Sequence, residues 1–112
     1  TYVNGDGKTS RDFCYVANAV QANLLAATND QGPGRTYNVA AGTHTTLNQL
    51  HRQLRKLTGA KDRPQHREFR EGDVRHSLAD ISLARRELGF RPTHTLEQGI
   101  EQTVPWYRAQ TS

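Results

Sequence analysis

The 112 residues include no methionine, one cysteine and one tryptophan, and aromatic residues make up only 7% of the chain. With Cys14 alone, an internal disulfide framework and a cysteine-based zinc finger are both excluded. No uninterrupted apolar run approaches the roughly 20 residues that a membrane-spanning helix requires. The opening Thr1-Tyr2-Val3-Asn4-Gly5 lacks the basic region and apolar stretch of a secretion signal. A reducing cytoplasm is therefore the expected compartment. The lack of methionine, together with a start at Tyr2–Gly7 that reads as the end of a strand running into a turn, points to a chain that begins inside a larger protein. Lysine is scarce as well. Lys8, Lys56 and Lys61 are the only lysines among fifteen basic residues, so twelve are arginine, and the eleven acidic residues leave a formal charge of +4. The guanidinium fork matches phosphate oxygens two at a time, which suits nucleic acid or a small diphosphate ligand; a solvated basic surface is the third explanation.

What is present is one small domain with 34% hydrophobic residues. Residues 11–16, Arg-Asp-Phe-Cys-Tyr-Val, alternate as a strand does, and Ala19, Val20, Ala22, Leu24, Ala26 and Ala27 form an alanine-rich helix ending near Asn29. Gln31-Gly32-Pro33-Gly34 is a turn. Arg35–Ala40 has the β-branched and aromatic content of a short buried strand that ends at Gly42. A second helix follows, capped by Thr45 or Thr46, with Leu47, Leu50, Leu54 and Leu57 on one face and Thr58-Gly59 as its stop. His66–Arg70 reads as extended and Glu71-Gly72-Asp73 as a turn. Asp80 is placed to cap a short third helix carrying Ile81, Leu83, Ala84 and Leu88, with Gly89 at its C-terminal end. Thr95 caps a last helix in which Leu96, Ile100, Val104 and Tyr107 share a stripe, and Pro105 is a kink point. These elements make an α/β chain with too few strands for a doubly wound sheet of its own.

Two stretches carry chemistry. In Gly5-Asp6-Gly7-Lys8-Thr9-Ser10-Arg11-Asp12 a glycine turn feeds an Arg-Asp pair. It is neither a dinucleotide loop nor a P-loop, because the third glycine and the lysine spacing are missing. Arg11 is available to a phosphate or, alternatively, pairs with Asp12 or another carboxylate. In Phe69-Arg70-Glu71-Gly72-Asp73-Val74-Arg75-His76-Ser77-Leu78-Ala79-Asp80 a glycine turn separates an arginine from an aspartate. This is either a charged surface loop or a means of aiming both at one ligand.

Taken with Val20-Gln21-Ala22-Asn23-Leu24-Leu25, Tyr37-Asn38-Val39-Ala40 and Trp106-Tyr107, the two stretches resemble, over essentially the whole chain, the C-terminal portion of NAD-dependent sugar-nucleotide epimerases. These are extended short-chain dehydrogenase/reductases, and the resemblance is closest to bacterial UDP-N-acetylglucosamine 4-epimerases. The resemblance implies that residues 1–112 form the UDP-sugar-binding portion. The Rossmann domain that binds NAD and holds the catalytic Ser/Thr and Tyr-x-x-x-Lys pair then lies outside them. It implies Arg11 and Arg70 on the diphosphate, Asp73 on the ribose, and Tyr2 and Val3 near the uracil. Ser77 stands at the gate beside the sugar's C2 substituent, where a small residue admits an N-acetyl group; otherwise it is an ordinary polar residue before the Asp80 cap. A homodimer built by helices of the Rossmann domain is also implied.

In this chain Tyr15 is followed by Val16, Ala17, Asn18 and Ala19, so no Tyr-x-x-x-Lys pair occurs there and no catalytic or NAD-binding residue is assigned. The five histidines lack the spacing of a metal site, so no metal is expected. Cys14 is expected to be a buried structural residue and Trp106 and Tyr107 to pack. Within the family, UDP-glucose 4-epimerase, a uronic-acid epimerase or a dehydratase is the alternative to the N-acetylhexosamine epimerase. A nucleic-acid module is opposed by dispersed arginines and the lack of a recognition or stacking pattern, so neither nucleic acid nor a membrane is expected as partner. A pure interaction domain is the third class.

Overall fold

In the computed structural model, residues 2–29, 34–61, 63–68, 70–72 and 74–111 are described. The chain starts with β1 (Tyr2–Asn4), turns through Gly5 and Asp6, and continues into β2 (Ser10–Arg11). The alternation expected over residues 11–16 ends early, because among the described residues β2 finds only the two-residue β3 (Thr45–Thr46) as an antiparallel partner, Ser10 against Thr46 and Arg11 against Thr45. β1 pairs in parallel with β4 (Gln65–Arg67), Val3 lying opposite His66.

Helix α1 (Val16–Thr28) is the alanine-rich stretch, begun three residues before Ala19, the first residue assigned to it from the sequence. Helix α2 (Leu47–Thr58) starts with a full capping box. Gln49 N donates to Thr46 Oγ1, and the Gln49 side chain accepts from Thr46 N. Helix α3 (Ser82–Leu88) follows Asp80, whose Oδ1 accepts from both the backbone and the hydroxyl of Ser82. Helix α4 (Leu96–Thr111) repeats the capping-box logic with Thr95 and Gln98, at 2.9 and 3.2 Å. The expected stops Gly59 and Gly89 both take the left-handed conformation, with φ of 72° and 68°.

The expected strand over residues 35–40 belongs to no ladder among the described residues. Tyr37 and Val39 nevertheless pack against a small core of Ala22, Ala40, Ile81, Ala84 and Phe90. That segment is held by side chains instead of a sheet: Glu87 on α3 accepts from Arg35 Nη1 and from the Tyr37 hydroxyl. α4 reaches the start of α1 at Gly99, where a Cβ would stand 2.8 Å from the Tyr15 ring, so only glycine permits this approach. The Tyr15 hydroxyl then donates to Gln102 Oε1.

The molecule is a slab of 49 × 36 × 17 Å with a radius of gyration of 16.5 Å. A compact domain of this length would have a radius of about 13 Å. So thin a body cannot enclose all its apolar side chains. Val16, Val20 and Leu24 on α1 are exposed at successive four-residue steps, and Trp106 and Tyr107 are 59% and 60% exposed. The two rings touch each other edge to face. Cys14 is also exposed, on the irregular stretch between β2 and α1, and not in a buried strand. No helix of the described residues is long and apolar enough to cross a membrane.

Candidate functional site

The turn after β1 brings the chain back so that Tyr2, Val3, Asn4, Thr9 and Arg11 border one cavity of about 320 Å³. Its opposite wall is the face of α2 carrying Leu47, Leu50, His51 and Leu54. Apolar walls with one guanidinium at the rim suit a ligand with a flat, weakly polar part and an anionic part. Tyr2 is covered on one face by the Arg67 guanidinium, 3.5 Å from the ring centre. The parallel pairing of β1 with β4 sets that contact.

Arg11 makes no pair with Asp12. Both oxygens of the Asp12 carboxylate accept from the backbone N–H groups of Ala41 and Gly42, at 3.0 and 2.8 Å. Arg11 Nη1 instead donates to the carbonyls of Ser10 (2.8 Å) and Arg75 (3.5 Å). A cation resting on backbone carbonyls keeps its full charge for an incoming anion, which removes the ion-pair alternative raised by the sequence.

The second stretch arrives beside the first through Ser10. Ser10 N donates to Arg75 O at 2.9 Å, and Ser77 N donates to Ser10 O at 3.2 Å. A short ion pair adds to this: Arg75 Nη2 lies 2.7 Å from Asp6 Oδ2. Arg75, with help from the Lys8 backbone N–H, holds the Asp6 carboxyl at about 2, below the usual carboxylate range. A carboxyl lowered on folding stabilises the native state above its unfolded pKa, and that contribution disappears as pH falls through the folded value. We therefore expect Asp6→Asn to lower the urea midpoint at pH 6. The gap to the unsubstituted protein should close between about pH 4 and pH 2. A gap independent of pH would show that the pair contributes nothing through its charge.

Of the residues expected at the site, Tyr2, Val3 and Arg11 come together at the cavity. Ser77 is exposed on the segment bonded to β2, and Arg70 is exposed on the stretch after β4. Asp73 lies outside the described residues. The sequence reading missed Thr9, which is buried at the cavity wall, and the α2 face. The spacing Leu47, Leu50, His51, Leu54 was the available signal, since it places these four residues on one helix face. A larger cavity of about 540 Å³ lies between Phe13–Val16 and α4, and no arginine is among the residues that line it. Among the described residues no group of three or more potential metal ligands is assembled.

The described residues make an α/β chain of short strands and four helices, and its structural neighbours are epimerases of the extended short-chain dehydrogenase/reductase type. The UDP-glucose 4-epimerase of Thermotoga maritima, solved with UDP-glucose, superposes with a TM-score of 0.93 at 37% identity, over 100% of this chain and 36% of that one. The UDP-N-acetylglucosamine 4-epimerase of Methanobrevibacter ruminantium, in complex with UDP-N-acetylmuramic acid, gives a TM-score of 0.87 at 34% identity, over 98% and 35%. MoeE5 in complex with UDP-glucose and NAD gives 0.90 at 31% identity, over 100% and 38%. A UDP-glucose 4-epimerase from Mycolicibacterium smegmatis is 36% identical over 96% of this chain and 34% of its own length. Residues 1–103 match the family described as GDP-mannose 4,6 dehydratase, and the chain belongs to that family. It spans about a third of the length of the curated relatives it matches.

Proposed function

We propose that this chain is the UDP-sugar-binding portion of an NAD-dependent sugar-nucleotide 4-epimerase acting on UDP-N-acetylglucosamine and UDP-N-acetylgalactosamine. The observation that carries the reading is the single cavity on which Tyr2, Val3 and Arg11 converge, with the Ser77 segment bonded to the strand that bears Arg11. In this reading the uracil lies along β1, between the strand and the leucine face of α2. Arg11 and Arg70 take the diphosphate, whose paired oxygens suit the guanidinium fork. Asp73 accepts from the ribose. The small Ser77 leaves room at the sugar's C2 substituent.

In this reading NAD is held outside this chain, as the family resemblance implies. The cofactor and the proton-transferring groups then belong to a Rossmann domain outside this chain, as does the dimer contact. The thin slab supports this arrangement, because its exposed α1 stripe and Trp106 and Tyr107 suit burial against another domain. In the intact protein, binding would fix the sugar so that hydride leaves C4, the 4-keto intermediate turns, and hydride returns to the other face.

UDP-glucose as substrate is the second reading, favoured by the Thermotoga and Mycolicibacterium relatives. The full-length protein assayed with NAD and each UDP-sugar for the C4 epimer separates the two. Ser77→Tyr is expected to lower kcat/KM on the N-acetylated substrate by about 100-fold while changing that on UDP-glucose by less than about threefold. Equal losses on both substrates would sink the gate role. UDP binding without any epimer would move the reaction to a dehydratase or uronic-acid epimerase.

A further inference from the structure

Two histidines that the proposed function leaves unused converge on one buried hydroxyl. His76 Nδ1 lies 2.7 Å and His44 Nδ1 3.1 Å from Ser10 Oγ. Their ring centres are 6.5 Å apart. Ser10 itself is 2% exposed. Its backbone is engaged toward the same segment, donating to Arg75 O, accepting from Ser77 N and forming a parallel bridge with His76. One serine is thus bonded to three successive residues of the second stretch, and it directly precedes Arg11.

A serine hydroxyl has one proton to donate and two lone pairs to accept with. Facing two Nδ1 atoms, it donates to one that is unprotonated there and accepts from an N–H on the other. Two neutral imidazoles satisfy it only as opposite tautomers. If both carried the proton on Nδ1, the hydroxyl hydrogen would be left without an acceptor in a buried place. If neither did, one nitrogen lone pair would face the oxygen with no hydrogen between them.

We infer that Ser10 and His76 are positioning residues, a clamp that holds the Arg75–Ser77 segment to the strand bearing Arg11 and so sets where Ser77 stands relative to the sugar. This rests on the function proposed above. The clamp acts through two kinds of bond. The backbone pair fixes the segment's height along β2, while the His76–Ser10 bond fixes the rotation of residue 76 and hence that of its neighbour.

The test uses the full-length protein containing this chain. Nitrogen-15 NMR of labelled histidines at neutral pH should show His44 and His76 as opposite tautomers, and Ser10→Ala should remove the difference. In kinetics, Ser10→Ala and His76→Phe are expected to shift the ratio of kcat/KM for UDP-N-acetylglucosamine over UDP-glucose by about tenfold. UDP alone, which lacks the sugar, should bind within about twofold of the unsubstituted protein, and this also reports that the variants fold. Ser10→Thr keeps the hydroxyl, and His76→Asn keeps a polar group near Nδ1. Each should hold the substrate ratio within about threefold of the unsubstituted protein. Identical tautomers in the unsubstituted protein overturn the shared arrangement of the two histidines on Ser10, and an unchanged substrate ratio in Ser10→Ala overturns the clamp; both leave UDP binding and the proposed function standing. An unsubstituted protein that binds no UDP overturns both.

Discussion

Replacing Asn18 with leucine is expected to destabilise the fold by about 3 kcal/mol, read as a lowered urea midpoint. Asn18 and Phe90 are the largest fully buried side chains, and Asn18 is the polar one. Its Oδ1 accepts from Thr93 N at 2.9 Å, from His94 N at 3.1 Å and from the Thr93 hydroxyl at 3.3 Å, while its Nδ2 donates to His94 O at 2.9 Å. One amide therefore satisfies the backbone of the segment joining α3 to α4 and ties it to the first turn of α1. Leucine is close in volume and fills the space, but it leaves two N–H groups and a carbonyl without a partner. Each unsatisfied buried group costs about 1–3 kcal/mol, with some relief where water enters. Asn18→Ala separates hydrogen bonding from packing, because its smaller side chain leaves room for a water to take the amide's place. If the hydrogen bonds dominate, leucine is at least as damaging as alanine. A leucine variant more stable than the alanine variant by more than about 1 kcal/mol would show that volume governs this position.

Arg11→Ala is expected to weaken UDP binding by about 30- to 100-fold in the full-length protein, and Arg70→Ala by a comparable factor, each about 2–3 kcal/mol. The unliganded protein loses little with Arg11, whose guanidinium rests on two carbonyls and takes part in neither of the ion pairs formed among the described residues. The effect should therefore fall on affinity and leave the urea midpoint within about 0.5 kcal/mol. Lysine at either position should recover only part of the loss, because a point charge does not reproduce the fork. Calorimetric titration with UDP and with UMP is the discriminating measurement. Residues that grip the diphosphate matter less when the second phosphate is missing, so the loss should shrink with UMP. Equal losses with both nucleotides would remove the diphosphate role, and unchanged UDP affinity would remove the arginines from the site.

The legible parts of the fold were those whose cause is local. Helices α2 and α4 could be read with their caps because Thr46 with Gln49, and Thr95 with Gln98, sit within one turn of each other. Gly59 and Gly89 marked their helix ends for the same reason, since a left-handed residue is a local demand. The strands expected over residues 11–16 and 35–40 failed for the opposite reason. Alternation makes a segment fit for a sheet, but a ladder needs a neighbour. Residues 12–15 and 35–40 have none among the described residues, so the second segment is held through Glu87 instead. At the site, Tyr2, Val3 and Arg11 were named because the motif carries them. The face of α2 opposite them was read as the apolar face of a helix and given no place at the site, because periodicity says which residues share a face and not what that face meets.

By itself the sequence determined the α/β class, the number and order of the helices, the lack of any disulfide, and a family signature spread over two arginine-bearing stretches. Each of these depends on composition or on residues a few positions apart. Only the tertiary structure decided that Asp12 goes to the backbone of Ala41 and Gly42 and leaves Arg11 to the cavity. Only it decided that Ser10 holds His44 and His76, and that Asn18 holds the segment before α4. These contacts span 29 to 76 positions of sequence. A buried polar group takes whichever partner the packed elements bring to it, so its role is fixed only once those elements have met.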